Sequence, residues 1–164
     1  MINRDRISFR VGGSGVTSKG AWAMALVYID ARTCQEELDT KFGVDGWQFT
    51  WSEVCGHEFA VHGELQCKMD DKWVTREDVG YPQELKMSKG VNDSEVLKDA
   101  VSDALKRCAV QFGIGRFLYD APKLFSFNVK TGRNGKVKGF AVEGEQEISD
   151  KIDTWYKSIS REAK

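Results

Sequence analysis

No stretch of this sequence stays apolar for anything near the roughly 20 residues that a membrane-crossing helix needs, so a helical membrane anchor is not expected. The opening residues, Met1-Ile2-Asn3-Arg4-Asp5-Arg6, carry charge with no apolar stretch behind it, and they are not expected to be a secretory leader. A cytoplasmic location is the resulting expectation. Four cysteines (Cys34, Cys55, Cys67 and Cys108) are scattered without a repeated spacing. In an intracellular chain such cysteines are expected to be reduced and buried rather than paired. Net charge is also lacking: 24 Lys and Arg against 25 Asp and Glu leave −1, which gives no bulk signal for nucleic acid. The glycine-rich run Val11–Gly20 lacks the Gly-Lys-Ser/Thr ending of a phosphate-binding loop, because Ser18 precedes Lys19 and Gly20 follows it. ATPase activity is therefore not expected. The run reads as a loop, either flexible or offering backbone N–H groups to a phosphate.

Catalytic and metal chemistry find little to work with. The best metal candidates are Cys55, His57, His62 and Cys67, but His62 and Cys67 have opposite parity on one strand and point to opposite faces of its sheet. Cys67 and Cys108 lie on apolar faces, where a thiol is inert. No Ser-His-Asp spacing stands out. The expectation is a protein with no metal, no cofactor and no enzymatic activity.

What is present is a soluble globular composition, 41% hydrophobic and 30% charged, over 164 residues that suit one domain. Trp22–Tyr28 reads as a buried strand. Asp30 caps a helix running to about Phe42, with Gly43 as its stop. Three strands follow. Trp47, Phe49 and Trp51 alternate with polar residues; Phe59, Val61, Leu65, Cys67 and Met69 do so more regularly; Lys72–Tyr81 is aromatic and β-branched. Cys55-Gly56-His57 and Asp70-Asp71 supply the turns, so the three make an antiparallel meander. Trp47, Trp51 and Trp73 are expected in the core. After Pro82 and a polar connection over 83–93, Ser94 is the expected cap of a helix. Its apolar stripe is Val96, Leu97, Ala100, Val101, Ala104, Leu105, Cys108, Ala109 and Phe112, and Gly113 and Gly115 end it. Lys106 falls nearly opposite the stripe's centre and Arg107 at its rim. A hairpin is expected within Phe125–Phe140, around Thr131-Gly132-Arg133-Asn134-Gly135, and a short amphipathic helix over Ile148–Ile159. The fold class is α+β: an antiparallel β-β-β meander packed on helices.

Charge distribution says more than its total. Arg116, Lys123, Lys130, Arg133, Lys136 and Lys138 meet only Asp120, and then Glu143, Glu145, Glu147 and Asp150 reverse the sign. A near-neutral chain can hide a basic strip in this way; sign clustering in a solvated loop accounts for the same residues. Lys106-Arg107 could present two cations to a phosphate chain. Ordinary helix-surface charge, with Asp103 and Arg107 paired at i,i+4, is on charge alone the better account.

The run Glu77-Asp78-Val79-Gly80-Tyr81, a lysine-containing connection and then Leu97–Gly113 resemble the Rad52 family of single-strand annealing proteins. Tyr28-Ile29-Asp30-Ala31-Arg32, Lys41-Phe42-Gly43, Gly46-Trp47 and Arg10 fall in the family's order, so the resemblance covers roughly residues 7–120. It implies a β-β-β-α core that assembles into rings or helical oligomers. Single-stranded DNA would lie in a basic groove with its bases accessible, and complementary strands would pair without ATP. The expectation is the family's N-terminal oligomerisation and DNA-binding core alone, of the short phage type, in a bacterial or phage-infected cell. Residues 1–164 would then be one domain, with 141–164 a helical segment beyond the resemblance.

By the same resemblance Lys106 and Arg107 match helix cations that contact the DNA backbone, and Arg10 matches an arginine of similar role. Lys86 or Lys89 would match a lysine of a second, outer DNA site. A further basic residue of the family is Val110 here, so Arg116 and the 123–138 strip are the candidates to supply its charge. An exonuclease or a single-strand-binding protein is the expected protein partner. The alternatives are a double-stranded RNA-binding module, which shares the order of a helix, three strands and a helix, and a non-catalytic structural oligomer.

Overall fold

A computed structural model describes residues 2–82 and 93–162. In chain order the elements are β1 (Ser8–Thr17), β2 (Gly20–Tyr28), α1 (Ala31–Phe42), β3 (Trp47–Glu53), β4 (Val61–Met69), β5 (Lys72–Gly80), α2 (Asp93–Gln111), β6 (Leu124–Ser126), β7 (Val129–Thr131), β8 (Val137–Phe140) and α3 (Val142–Glu162). No described helix is long and apolar enough to cross a membrane. The chain divides into two compact units, one of Ile29–Arg116 and one of Met1–Tyr28 with Phe117–Lys164.

The unit of Ile29–Arg116 is the expected α+β assembly. Asp30 accepts a hydrogen bond from the Thr33 N–H at 2.7 Å and starts α1, and Gly43, at φ 84°, ends it. β3, β4 and β5 form an antiparallel sheet in that order, with Cys67 opposite both Trp47 and Val74. Asp70 and Asp71, both at positive φ, make the tight β4–β5 turn. On β4 the inner row Val61, Gly63, Leu65 and Cys67 is buried, as its alternation dictates. The α2 stripe lies on this row, and Ser94, the expected cap, falls inside the helix rather than ahead of it. Val96, Ala100, Ala104, Leu105, Cys108, Ala109 and Phe112 are buried, and Leu97 and Val101 are half-buried.

Small residues set the distance between helix and sheet. A Cβ on Gly80 would stand 2.2 Å from the Ala100 carbonyl oxygen and 2.3 Å from the Ala104 nitrogen. A Cβ on Gly63 would stand 2.9 Å from the Ala104 methyl carbon. Val61, Ala100 and Ala104 form the buried centre, with Phe49, Leu97 and Val101 packed around them.

Two tryptophans depart from the expected core. Trp73 is 49% exposed, since it stands opposite Lys68 on the sheet face turned away from α2. Trp51 is on the inner face but 45% exposed, because α2 packs over β4 and β5 while β3 is an edge strand beyond that cover. Trp47, by contrast, is tied down through Nε1–H to Asp39 at 2.7 Å.

In the other unit the glycine-rich run is not a loop. Ser8–Thr17 is a strand pairing antiparallel with β2, with a bulge at Val11–Gly13. Here the glycines make room: a Cβ on Gly12 would meet the Leu26 Cβ at 2.8 Å, and one on Gly15 the Trp22 ring at 3.1 Å. β6 adds to the other edge of β2, and β7 and β8 form a separate hairpin. α3 is longer than the helix expected over Ile148–Ile159 and buries Ile148 and Ile152 fully. Ser126, itself buried, donates to Glu147 at 2.7 Å, and Lys151 bonds both Glu147 and the Phe125 carbonyl. The Lys151 and Ser126 hydrogen bonds hold the Glu147 carboxyl below its ordinary pKa.

The Gly80 approach generates a direct test. Gly80→Ala places a methyl inside backbone atoms that cannot swing away, so it is expected to cost about 3 kcal/mol or more of unfolding free energy. Gly139→Ala, with open space around its Cβ, is expected to stay within about 0.5 kcal/mol. Urea denaturation of the two variants measures the difference.

Candidate nucleic-acid interface

α2 runs along β5, the outer strand of its sheet, and bonds to it through residues four apart on one helical row. Asp103 accepts from the Tyr81 N–H at 3.2 Å, Arg107 reaches Asp78, and the Gln111 amide donates to the Glu77 carbonyl at 2.9 Å. The edge strand's free backbone groups are thus partly taken up by a helix, a common way to blunt an edge.

Arg107 donates from Nε to one oxygen of Asp78 at 2.9 Å, and its Nη2 lies 2.9 Å from the same oxygen. This contact across to β5 replaces the pairing within the helix to Asp103 that the i,i+4 spacing predicts. With side-chain exposures of 47% and 27% the Arg107–Asp78 pair is worth at most about 1 kcal/mol. Lys106 is turned about 100° from Arg107 around the helix. It is half-buried rather than fully outward, and its charge lies close enough to the Cys34 thiol of α1 to act on it. The two neighbouring cations therefore project toward different flanks of α2.

The C-terminal end of α2 gathers further cations. Arg116 donates to the Val110 carbonyl at 3.1 and 2.9 Å and to the Gln111 carbonyl at 2.8 Å. Lys41 donates to the Phe112 carbonyl at 2.6 Å, and the Arg76 guanidinium lies 5.7 Å from the centre of the Phe112 ring. Carbonyls left over at a helix end are satisfied by such groups, and the helix dipole favours them. Arg116 thus has a structural occupation. Lys41 and Arg76 are members of this cluster that sequence reasoning missed. A signal for Arg76 exists: its parity matches Val74 and Asp78, so a cation sits on the inner face opposite Leu65. Val110, where the resemblance calls for a base, is half-buried.

Arg10 belongs to the other unit, on β1 opposite Leu26. Its guanidinium carbon lies 5.9 Å from the centre of the Tyr28 ring. Its Nε is buried and has no hydrogen-bond partner among the described residues. Lys86 and Lys89 lie outside the described residues. Of the metal candidates, His62 bonds Glu77 at 3.2 Å on the outer face of the sheet while Cys67 is buried on the inner one. No group of three or more His, Cys, Asp or Glu among the described residues is placed to hold a metal ion.

A helix laid over an antiparallel three-stranded meander, with cations along its free sides and at its end, defines a β-β-β-α protein. The chain belongs to the Rad52/22 family of double-strand break repair proteins, whose family model matches residues 1–137. Among curated proteins it is similar to the single-stranded DNA-binding protein DdrA of Deinococcus deserti, 44% identical over 109 residues. It is also similar to DdrA of Deinococcus radiodurans, 45% identical over 102 residues. These matches cover 66% and 62% of this chain but only 48% and 43% of the relatives, so the chain spans under half the length of each.

All four cysteines are free, with Cys34, Cys67 and Cys108 buried and Cys55 exposed. Burial pushes the Cys34 thiol up to about 12, partly countered by Lys106, and the Cys67 and Cys108 thiols up to about 11. In the native protein a disulfide-exchange reagent at pH 8 is expected to titrate one thiol quickly and the other three only after denaturation. Between the ordinary thiol value of 9.0 and these raised values, the unfolded chain gives up protons that the native chain keeps. Stability is therefore expected to fall as pH rises above about 9, and urea midpoints at pH 8 and 10 check this.

Proposed function

We propose that this chain binds single-stranded DNA without ATP and anneals complementary strands in recombination and double-strand break repair, acting as a non-enzymatic homo-oligomer, ring or helical. The match to the Rad52/22 family over residues 1–137 carries this reading, and the single-stranded DNA-binding name of the DdrA relatives supports it. Lys106, Arg107 and Arg10 are the proposed backbone contacts. Arg107, itself 47% exposed, is held in place by a carboxylate 27% exposed, which a phosphate can replace at small cost. The Arg10 Nε gains an acceptor if a phosphate arrives, and a buried donor without one is costly. Arg116, which also holds the end of the helix that carries Lys106 and Arg107, is a further proposed contact. Lys86 or Lys89 is the proposed outer-site lysine, and an exonuclease or a single-strand-binding protein the proposed partner class.

Contacts to phosphate carry no sequence information, which suits a protein that must pair any two complementary strands. One subunit offers few cations, and assembly multiplies them along one strand.

Annealing of complementary oligonucleotides in the absence of ATP is the expected activity. Preference for duplex RNA with no annealing would overturn the proposal. Replacing Lys106 and Arg107 by Ala together is expected to weaken single-strand binding and to make the plot of log affinity against log salt shallower by about 1.4, or 0.7 for each lost phosphate contact. An unchanged slope in a folded variant rules out these two residues as the contact. Mass measurement with and without single-stranded DNA reads the assembly.

A further inference from the structure

The β7–β8 hairpin carries charge that none of the preceding contacts uses. Arg133, Lys136 and Lys138 are exposed, and among the described residues none of their side chains has an ion pair or a hydrogen bond. Their backbone is nonetheless tied down. Gly132 N–H donates to the Lys136 carbonyl at 2.8 Å, Gly135 N–H to the Gly132 carbonyl at 2.9 Å, and Lys136 N–H to the Asn134 side chain at 3.2 Å. The Lys138 chain lies across the turn, its Cε 2.7 Å from where a Cβ on Gly132 would be. The base of the hairpin is fixed as well. The Phe140 ring meets the Phe9 ring edge-on at 5.9 Å, and Ala141 N–H donates to the Asn128 carbonyl at 2.9 Å.

Of the acids that follow in sequence, Glu143 is exposed and makes no ion pair with these cations among the described residues, and the next two are occupied. Glu145 lies 3.9 Å from Lys130, and Glu147 is engaged by Ser126 and Lys151. Two residues before β7 stands Phe127, 52% exposed, and before it Phe125, 40% exposed and edge-on to Trp22 at 5.5 Å. Unpaired cations on an ordered turn, with an open aromatic ring at its foot, combine phosphate contact with a base-stacking platform. Duplexes hide their base faces, so the aromatic half of this arrangement selects single strands.

We propose that the β7–β8 hairpin is a separate contact for single-stranded nucleic acid, in which Arg133, Lys136 and Lys138 take backbone phosphates and Phe127 stacks on a base. It rests on the single-strand binding proposed above but not on Lys106 or Arg107.

The test uses the full chain with a fluorescent oligo-dT, a base-free oligomer of equal length, a duplex of the same length and polyglutamate as probes. The triple variant Arg133→Ala, Lys136→Ala, Lys138→Ala is expected to bind oligo-dT with a salt slope shallower by about 2, three contacts at 0.7 each. Phe127→Ala is expected to lose roughly fivefold or more on oligo-dT and far less on the base-free oligomer. A wild-type slope in the triple variant, with Lys106 and Arg107 still required, overturns this inference alone. Wild-type protein that fails to bind oligo-dT overturns both readings. Equal losses of the triple variant on polyglutamate and oligo-dT, with no effect of Phe127→Ala, overturn the inference in favour of an acidic protein partner. All four substitutions are at exposed positions, and matching circular-dichroism melts confirm that the variants fold.

Discussion

The contact of Gly80 with Ala100 and Ala104 is the constraint from which the unit of Ile29–Arg116 is built. With no side chain on Gly80 and only methyls on the helix, the backbone of α2 comes against the end of β5. Dispersion forces fall off steeply with separation, so this spacing lets Leu105, Cys108 and Ala109 seal a core of otherwise small residues. It also brings Asp103, Arg107 and Gln111 within bonding distance of Tyr81, Asp78 and Glu77. The position of Arg107 thus follows from a glycine at the end of β5, on the same strand as the carboxylate that holds it.

Much of that unit can be read from periodicity. Strand β4 alternates with few exceptions, the α2 stripe recurs at helical spacing, and Asp30 and Gly43 bracket α1 with a cap and a stop. Where expectation and structure part, the reasons share a physical origin. Alternation puts Trp51 and Trp73 in the core, but it reports the face of a strand and not whether anything covers that face. Composition makes a loop of the glycine run in β1, whereas its glycines answer to Leu26 and Trp22 on the partner strand, contacts that no local pattern contains. Asp78 is invisible as the partner of Arg107 for the same reason: the two are 29 residues apart in sequence.

The site is legible in a different way. Position on the helix marks Lys106 and Arg107 as lying off the buried stripe, but periodicity cannot tell a binding cation from a surface one. Resemblance implies that distinction, and the match over residues 1–137 places the chain in the Rad52/22 family. What neither supplies is the division of labour among cations. Arg116 is held by the carbonyls of Val110 and Gln111, and Lys41 by that of Phe112.

This division bears on how a chain of net charge −1 would serve a polyanion under the proposed function. Cations held by carbonyls or carboxylates are already oriented, so contact with a phosphate costs little further side-chain entropy, though a partner must be exchanged. Cations without partners exchange nothing but lose more rotamer freedom when they are bound. Arg107 is of the first kind; Arg133, Lys136 and Lys138 are of the second. Both kinds would release counterions from a bound strand and so contribute alike to salt dependence. They differ in how firmly they fix the backbone's path. Under the proposed function an annealing protein needs a fixed path where bases are presented and tolerance where a strand is merely retained, and the two kinds of cation would divide along that line.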